Sequence, residues 1–426
     1  MLNYLKMNRR GLETEYAVLK DEFKKLKNMN LSLNMARGKP SPEQLSLSNS
    51  MLSNIEDDFI SSDIDIRNYG FLEGLPEARK LMGDLLGCPE ENVIVGGNSS
   101  LSLMHDVVSN FFIKGSNGCL PWKNQKIKFL CPSPGYDRHF QICEFFGIEM
   151  INIRMSSEGP DIETVKRLVS KDESIKAIWC VPKYSNPDGI VYSDSVIKEL
   201  ANLKPAAKDF KILWDNAYCV HDLYDFIPIS NIFDECKKAE NESFPIAFCS
   251  TSKITFAAGG ISALGCLGQN YKDMKLYFSR KLVSFDKINQ YRHVKFLKNL
   301  ENIKSHMSKH ASILKPKFEF ILSEFEKNFG DNKILKWMSP KGGYFISVYS
   351  YGSAKKIESL CKELGLSITP AGASYPNGID PDDTNIRIAP SYPSLEELKK
   401  AIEAFCVCVR IAAIEKLLDE AWKKIK

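Results

Sequence analysis

Between Val93 and Gly268 the chain alternates short, β-rich apolar runs with helical or loop stretches, and no other feature narrows its possible folds as far. The runs read VIVGG, KIKFLC, EMINIR, IKAIWCVP, FKILWD, FPIAFCS and ISALGCLG. Alternation of this kind predicts an α/β domain: a mostly parallel sheet of seven strands, flanked by helices. Several runs end in polar residues, namely Asn98-Ser99-Ser100, Pro132-Ser133, Pro182, Asp215 and Ser250-Thr251-Ser252-Lys253. Ligands of open α/β sheets sit beyond the carboxyl ends of the strands. These ends therefore predict one site assembled from many strands.

The flanks read differently. Leu12, Tyr16, Leu19, Phe23 and Leu26 recur at helical spacing and predict a surface-packed leading helix. The next segment, LSLNMARGKPSPEQLSLS, is rich in proline and serine and predicts an extended strip that contacts a ligand. Beyond about residue 272 the chain turns helical and charged, then offers KWMSPKGGYFISVYS and TNIRIAPSYP, which predicts a smaller α+β domain. The expected division is 1–60 for the helix and strip packing with the small domain, 61–300 for the large domain and 301–426 for the small one.

Composition removes several function classes. Hydrophobic residues make up 44% and charged residues 26% of the 426 positions, which is ordinary for a globular chain and excludes disorder or coiled coil. The excess of 57 Lys and Arg over 53 Asp and Glu is small and spread out, so charge gives nucleic-acid binding no support. No apolar stretch approaches the roughly 18 residues of a membrane helix, and the first residues lack a secretory signal. A cytoplasmic protein is expected. Six histidines show no zinc-ligand spacing and twelve cysteines no C-x-x-C pair, so no metal is expected and the thiols read as structural.

Six segments carry candidate chemistry. Lys253 follows a strand and a run of hydroxyl residues, where desolvation would free its amine as a nucleophile toward carbonyls. Asp215 ends the run Ile212-Leu213-Trp214, an expensive place for an acid unless it is paired. A protonated pyridine nitrogen, a helix end or an internal arginine would each serve. Tyr218 could place its phenol on the same face, and Asn186, in a turn after another strand, could donate to a phenolate or a carboxylate. Gly97, Asn98, Ser99 and Ser100 lead into a helix and offer amides and hydroxyls to a phosphate. Tyr136 could stack on an aromatic cofactor. Arg387 alternates with Ile386 and Ile388, so it points away from them, as suits either a grip on a carboxylate or a structural ion pair.

Taken in order, the blocks LNMARGKPSPEQLSLS, RNYGFLEGLPEARKLM, GGNSSLSLMHD, PSPGYDRHF, CVPKYSNPDG, WDNAYCVHDL and STSKITFAAGG resemble pyridoxal-phosphate enzymes of fold type I, class I aminotransferases. Within that class they resemble a bacterial aspartate aminotransferase subgroup related to the aminotransferase domain of GntR-type regulators. The resemblance implies pyridoxal 5'-phosphate as cofactor, with Lys253 bonding it and then shuttling the substrate's proton, and Asp215 keeping the ring nitrogen protonated. It implies Tyr218 and Asn186 at the ring oxygen, Tyr136 stacked on the ring, and Gly97, Asn98, Ser99, Ser100, Ser250 and Ser252 around the phosphate. Tyr69 matches a tyrosine that reaches the phosphate across a homodimer interface. Arg387, with Asn186 and the Gly38 backbone, matches the grip on the substrate's α-carboxylate.

One position departs from the pattern. Many relatives carry an arginine eight residues after the lysine to pair with the phosphate, and here that position is Ile261; Arg280 and Lys281 are the candidates to replace it. The resemblance favours L-aspartate and 2-oxoglutarate in a ping-pong exchange, which needs a cation for the distal carboxylate, with Arg37 ahead of Lys39 and Arg138. Aromatic or alanine-type donors and a β-lyase outcome are the alternatives. A non-catalytic effector domain is disfavoured by the intact Lys253 and by the roughly 30 residues before the strip, too few for a winged helix. A nicotinamide dehydrogenase is disfavoured by the lack of G-x-G-x-x-G after the first strand.

Overall fold

The computed structural model describes residues 3–331 and 333–423. All seven apolar runs form strands of one sheet: β1 (Val93–Val95), β2 (Lys128–Ser133), β3 (Glu149–Ser156), β5 (Ile175–Cys180), β6 (Lys211–Asp215), β7 (Pro245–Ser250) and β8 (Ser262–Cys266). An eighth strand absent from the sequence reading, β4 (Gly159–Pro160), is a two-residue return against β3, too short to leave a pattern. The order across the sheet is β1-β8-β7-β6-β5-β2-β3-β4. The five central strands β7, β6, β5, β2 and β3 run parallel, and β8 is antiparallel to both of its neighbours. Strands β5 and β6 are buried on both faces, as expected of parallel strands under helices.

Connectivity places the site. The chain leaves β2 outward to β3, then returns to the other side of β2 to build β5, β6 and β7. The crevice at such a reversal is where ligands enter. It receives the loop after β2, with Tyr136, and the loop after β5, with Asn186.

Five helices complete the argument: α1 (Arg9–Asn28), α2 (Ser100–Lys114), α3 (Asp137–Phe146), α4 (Leu300–Phe329) and α5 (Leu395–Lys423). Asn8 caps α1 by accepting from the Gly11 amide, and α1 buries Leu12, Leu19, Phe23 and Leu26 as its spacing predicts. It packs on α5, whose stretch from Ala404 to Val409 is buried throughout. A three-stranded antiparallel sheet of β9 (Leu335–Trp337), β10 (Ile346–Ser350) and β11 (Asn385–Ile388) shares this second core. Helix α4 joins the two cores: Ile303 and Met307 pack with the large sheet, Leu314, Phe318, Ile321 and Phe325 with α5.

The strip is only partly extended. Leu33–Asn34 pairs in parallel with Leu366–Ser367, but Pro42–Ser46 is a short helix. Ser41 and Gln44 close a reciprocal capping box, and Pro42 occupies the first turn, where its missing N–H costs nothing. Among the described residues no helix is long and apolar enough to cross a membrane.

Candidate active site

A cavity of about 600 Å³ opens at the reversal and is lined by Lys253, Tyr218, Asn186, Tyr136 and Arg387, with Arg37 and Gly38 from the strip. Lys253 stands on the turn after β7, its ammonium 5.1 Å from the centre of the Tyr218 ring. Burial pushes its pKa below the ordinary lysine range, opposed by the charge of Asp215, so the amine is biased toward its nucleophilic form. Burial, helped by the charge of Asp215, pushes the Tyr218 phenol well above its usual range and keeps it a donor.

Asp215 closes β6 and is buried there. His139 Nε2 lies 3.0 Å from its Oδ2, and its Oδ1 is buried with no hydrogen-bond partner among the described residues. His139 is held flat against Trp179, ring centres 4.3 Å apart and planes within 5°. The pairing left open by the sequence is thus with a histidine on one oxygen, while the other oxygen waits for a donor. The protonated ring nitrogen of pyridoxal phosphate is a donor that fits.

The residues expected around a phosphate lie at the start of α2. Ser99 occupies the cap position without a side-chain cap, which leaves first-turn amides open, and a Cβ built on Gly97 would meet nothing within 4 Å. Ser252 Oγ donates to the Asn98 carbonyl at 2.7 Å, tying this loop to the lysine turn, and Ser250 ends β7 beside it. These groups fit an anion. Ile261 is a core residue, its backbone paired with Thr251. Neither proposed substitute is brought into the cavity with Lys253. Lys281 is committed to Asp106, and with Arg280 it borders a separate cavity of about 840 Å³. The ends of helices facing different sheet edges cannot be read from spacing along the chain.

Arg387 lies on β11 with Ile386 and Ile388 in the second core, so its side chain emerges on the cavity side as the alternation predicts. Its Nε donates to Thr369 Oγ1 at 3.2 Å, and Nη1 donates to Asn186 Oδ1 at 3.1 Å and to Asp137 Oδ1 at 3.0 Å. The guanidinium rests 4.9 Å above the Phe345 ring. Gly38 presses on that ring from the strip: a Cβ there would fall 2.4 Å from Phe345 Cζ, so any side chain would displace the arginine's support.

Of the distal-carboxylate candidates, Arg37 and Arg138 border the cavity, whereas the Lys39 ammonium sits 3.8 Å over the Tyr392 ring. Tyr69 is 80% exposed and outside this chain's cavity. Sequence reasoning missed His139 and Asp137, although His139 follows Tyr136 by three residues, a helical spacing that turns both toward one side. It also missed Tyr344, which donates to the Lys253 carbonyl at 3.4 Å and accepts from Gln44 Nε2 at 2.9 Å.

The profile of the aspartate amino-transferase family matches residues 7–421. An aminotransferase-like protein of Mycolicibacterium smegmatis is 42% identical over 427 residues, 98% of this chain and 100% of that one. An aspartate aminotransferase of Corynebacterium glutamicum is 41% identical over 403 residues, 93% of each chain. The crystal structure of an aspartate transaminase from C. glutamicum superposes with a TM-score of 0.94 at 38% identity, covering 97% of this chain and 99% of that one. The chain belongs to the aspartate aminotransferase family, pyridoxal-phosphate-dependent aminotransferases of fold type I.

Proposed function

We propose that this aminotransferase takes the amino group of L-aspartate and passes it to 2-oxoglutarate, as a homodimer in the cytoplasm. The observation that carries the reading is the convergence of Lys253, Arg387 and the rim cation Arg37 on one cavity, with the charge of Asp215 acting on Lys253. The names of the C. glutamicum relatives support the same donor.

Pyridoxal phosphate, when bound, supplies a carbonyl that condenses with amines and a ring that takes up electrons from the substrate's Cα. The chain does the rest. Asp215 Oδ1 would accept from the protonated ring nitrogen and hold that proton in place. Tyr218 and Asn186 would hold the ring oxygen, Tyr218 by donating its phenol hydrogen. Gly97, Asn98, Ser99, Ser100, Ser250 and Ser252 would hold the phosphate at the start of α2, and Tyr136 would stack on the ring. Arg387 grips the α-carboxylate against the Gly38 backbone, which leaves the Cα proton to the neutral Lys253 amine as general base. Tyr69 and its neighbour Phe71, both exposed, are the surface through which a second copy completes the phosphate site.

The test is a visible spectrum of the cofactor-loaded enzyme before and after L-aspartate is added without a keto acid. Bleaching of the yellow lysine-bound form with release of oxaloacetate is expected. Bleaching by an aromatic amino acid or alanine but not by aspartate would move the donor, and ammonia release would mark a β-lyase. For the distal carboxylate, Arg37→Ala should lower kcat/KM for aspartate about thirtyfold, the loss expected when one member of a charge pair is truncated, with under about threefold for alanine. Equal losses on both substrates would remove Arg37 from that role.

A further inference from the structure

The arginine assigned to the α-carboxylate already holds a carboxylate. Asp137 Oδ1 lies 3.0 Å from Arg387 Nη1, although the two residues are 250 apart in the chain. A guanidinium has five N–H donors. Thr369 takes the one on Nε, and Asp137 and Asn186 take those of Nη1, which leaves the pair on Nη2. A two-pronged grip on a carboxylate uses two nitrogens on one edge, either Nη1 with Nη2 or Nε with Nη2. Thr369 is anchored, since its hydroxyl donates to the Ala36 carbonyl at 2.8 Å. The edge that can be cleared is the one Asp137 occupies.

We propose that Asp137 is a positioning residue whose carboxylate holds Arg387 between turnovers and is displaced by the incoming α-carboxylate. This rests on the assignment of Arg387 made above. The Arg387 side chain is 8% exposed, and a guanidinium buried to that degree needs an anion beside it when no substrate is present. Two carboxylates on one enclosed guanidinium repel each other, so the resident and the substrate alternate. Asp137 has somewhere to go. Its side chain is 22% exposed, and it is the first residue of α3, whose cap residue Tyr136 makes no side-chain cap. The positive end of that helix favours the released carboxylate beside it. Binding is then an exchange of anions, in which an amine without a carboxylate cannot take part and product release is assisted by the returning Asp137.

The test uses the cofactor-loaded enzyme and its Asp137→Asn, Asp137→Glu and Arg387→Gln variants, with succinate as an unreactive dicarboxylate and aspartate as substrate. Asp137→Asn should bind succinate about fivefold more tightly, the scale of one charge contact with one partner partly open to water. The KM for aspartate should fall by a similar factor while kcat does not rise. Asp137→Glu, which keeps the charge, should return both values toward those of the unaltered enzyme. Weaker succinate binding together with a lower kcat in Asp137→Asn would overturn the exchange and leave Asp137 as a fixed orienting contact. Unchanged binding would overturn it too, because no competition would then exist. If Arg387→Gln binds succinate as well as the unaltered enzyme, the failure lies in the Arg387 assignment instead.

Discussion

Replacing Lys253 with alanine should lower turnover with L-aspartate by at least about ten-thousandfold, the upper range for a lost general base, because in the proposed function the same amine also bonds the cofactor. The reaction needs a neutral amine at the end of β7, and burial is what biases Lys253 toward that form. Lys253→Arg should be as inactive, since a guanidinium retains the charge but offers no neutral amine at this pH. The yellow form should be absent in both variants, and added methylamine should restore part of the activity of Lys253→Ala through the vacated space. The fold should not suffer. A lysine whose pKa is lowered by folding releases protons on folding, so it weakens the native state below its ordinary pKa, and that penalty fades as the pH rises through the interval between the two values. Lys253→Ala apoprotein should therefore melt no lower than the unaltered apoprotein at pH 7, and the difference should close as the pH approaches the ordinary lysine range. Residual activity above about one per cent would mean that another group removes the Cα proton, since loss of a general base alone exceeds that factor.

How much of this was legible from the sequence depends on how far apart the cooperating residues lie. Each long strand announces itself by a local apolar run, and Arg387 by alternation with Ile386 and Ile388, because a period of two fixes the side on which a side chain emerges. The helix at Pro42 was also locally written, as Ser-Pro-Glu-Gln, but a segment holding two prolines and a glycine reads first as irregular. Contacts that decide the electrostatics are of another kind. His139 meets Asp215 from 76 residues away, and Asp137 meets Arg387 from 250 away. Those meetings follow from the strand order, with α3 starting where β2 ends beside β5, and no periodicity encodes that order. The phosphate's missing arginine shows the same limit: Lys281 is basic and follows Lys253, yet the helix that carries it delivers it to Asp106.

Asp215→Asn should cost about a thousandfold in kcat, within the range for a lost electrostatic partner of a reacting group, and should weaken the cofactor's hold on the protein. The carboxylate is nearly sealed from water, with one oxygen on His139 and the other without a partner among the described residues. An unpartnered, buried carboxylate oxygen lowers stability, so the residue is retained at the expense of the empty protein and is satisfied only when a donor arrives. That inverts the usual expectation for a buried site. In Asp215→Asn the amide oxygen can still accept from His139, while the uncompensated charge is gone, so the cofactor-free variant should melt at or above the temperature of the unaltered apoprotein. The rise in melting temperature on adding pyridoxal phosphate should shrink, because stabilisation by a ligand scales with its affinity for the folded state. His139→Gln should cost less, about tenfold in kcat, because it loosens the orientation of Asp215 without removing its charge. A lower melting temperature for the empty Asp215→Asn protein, with an unaltered increment on cofactor addition, would assign Asp215 to the fold and leave the ring nitrogen in need of another partner.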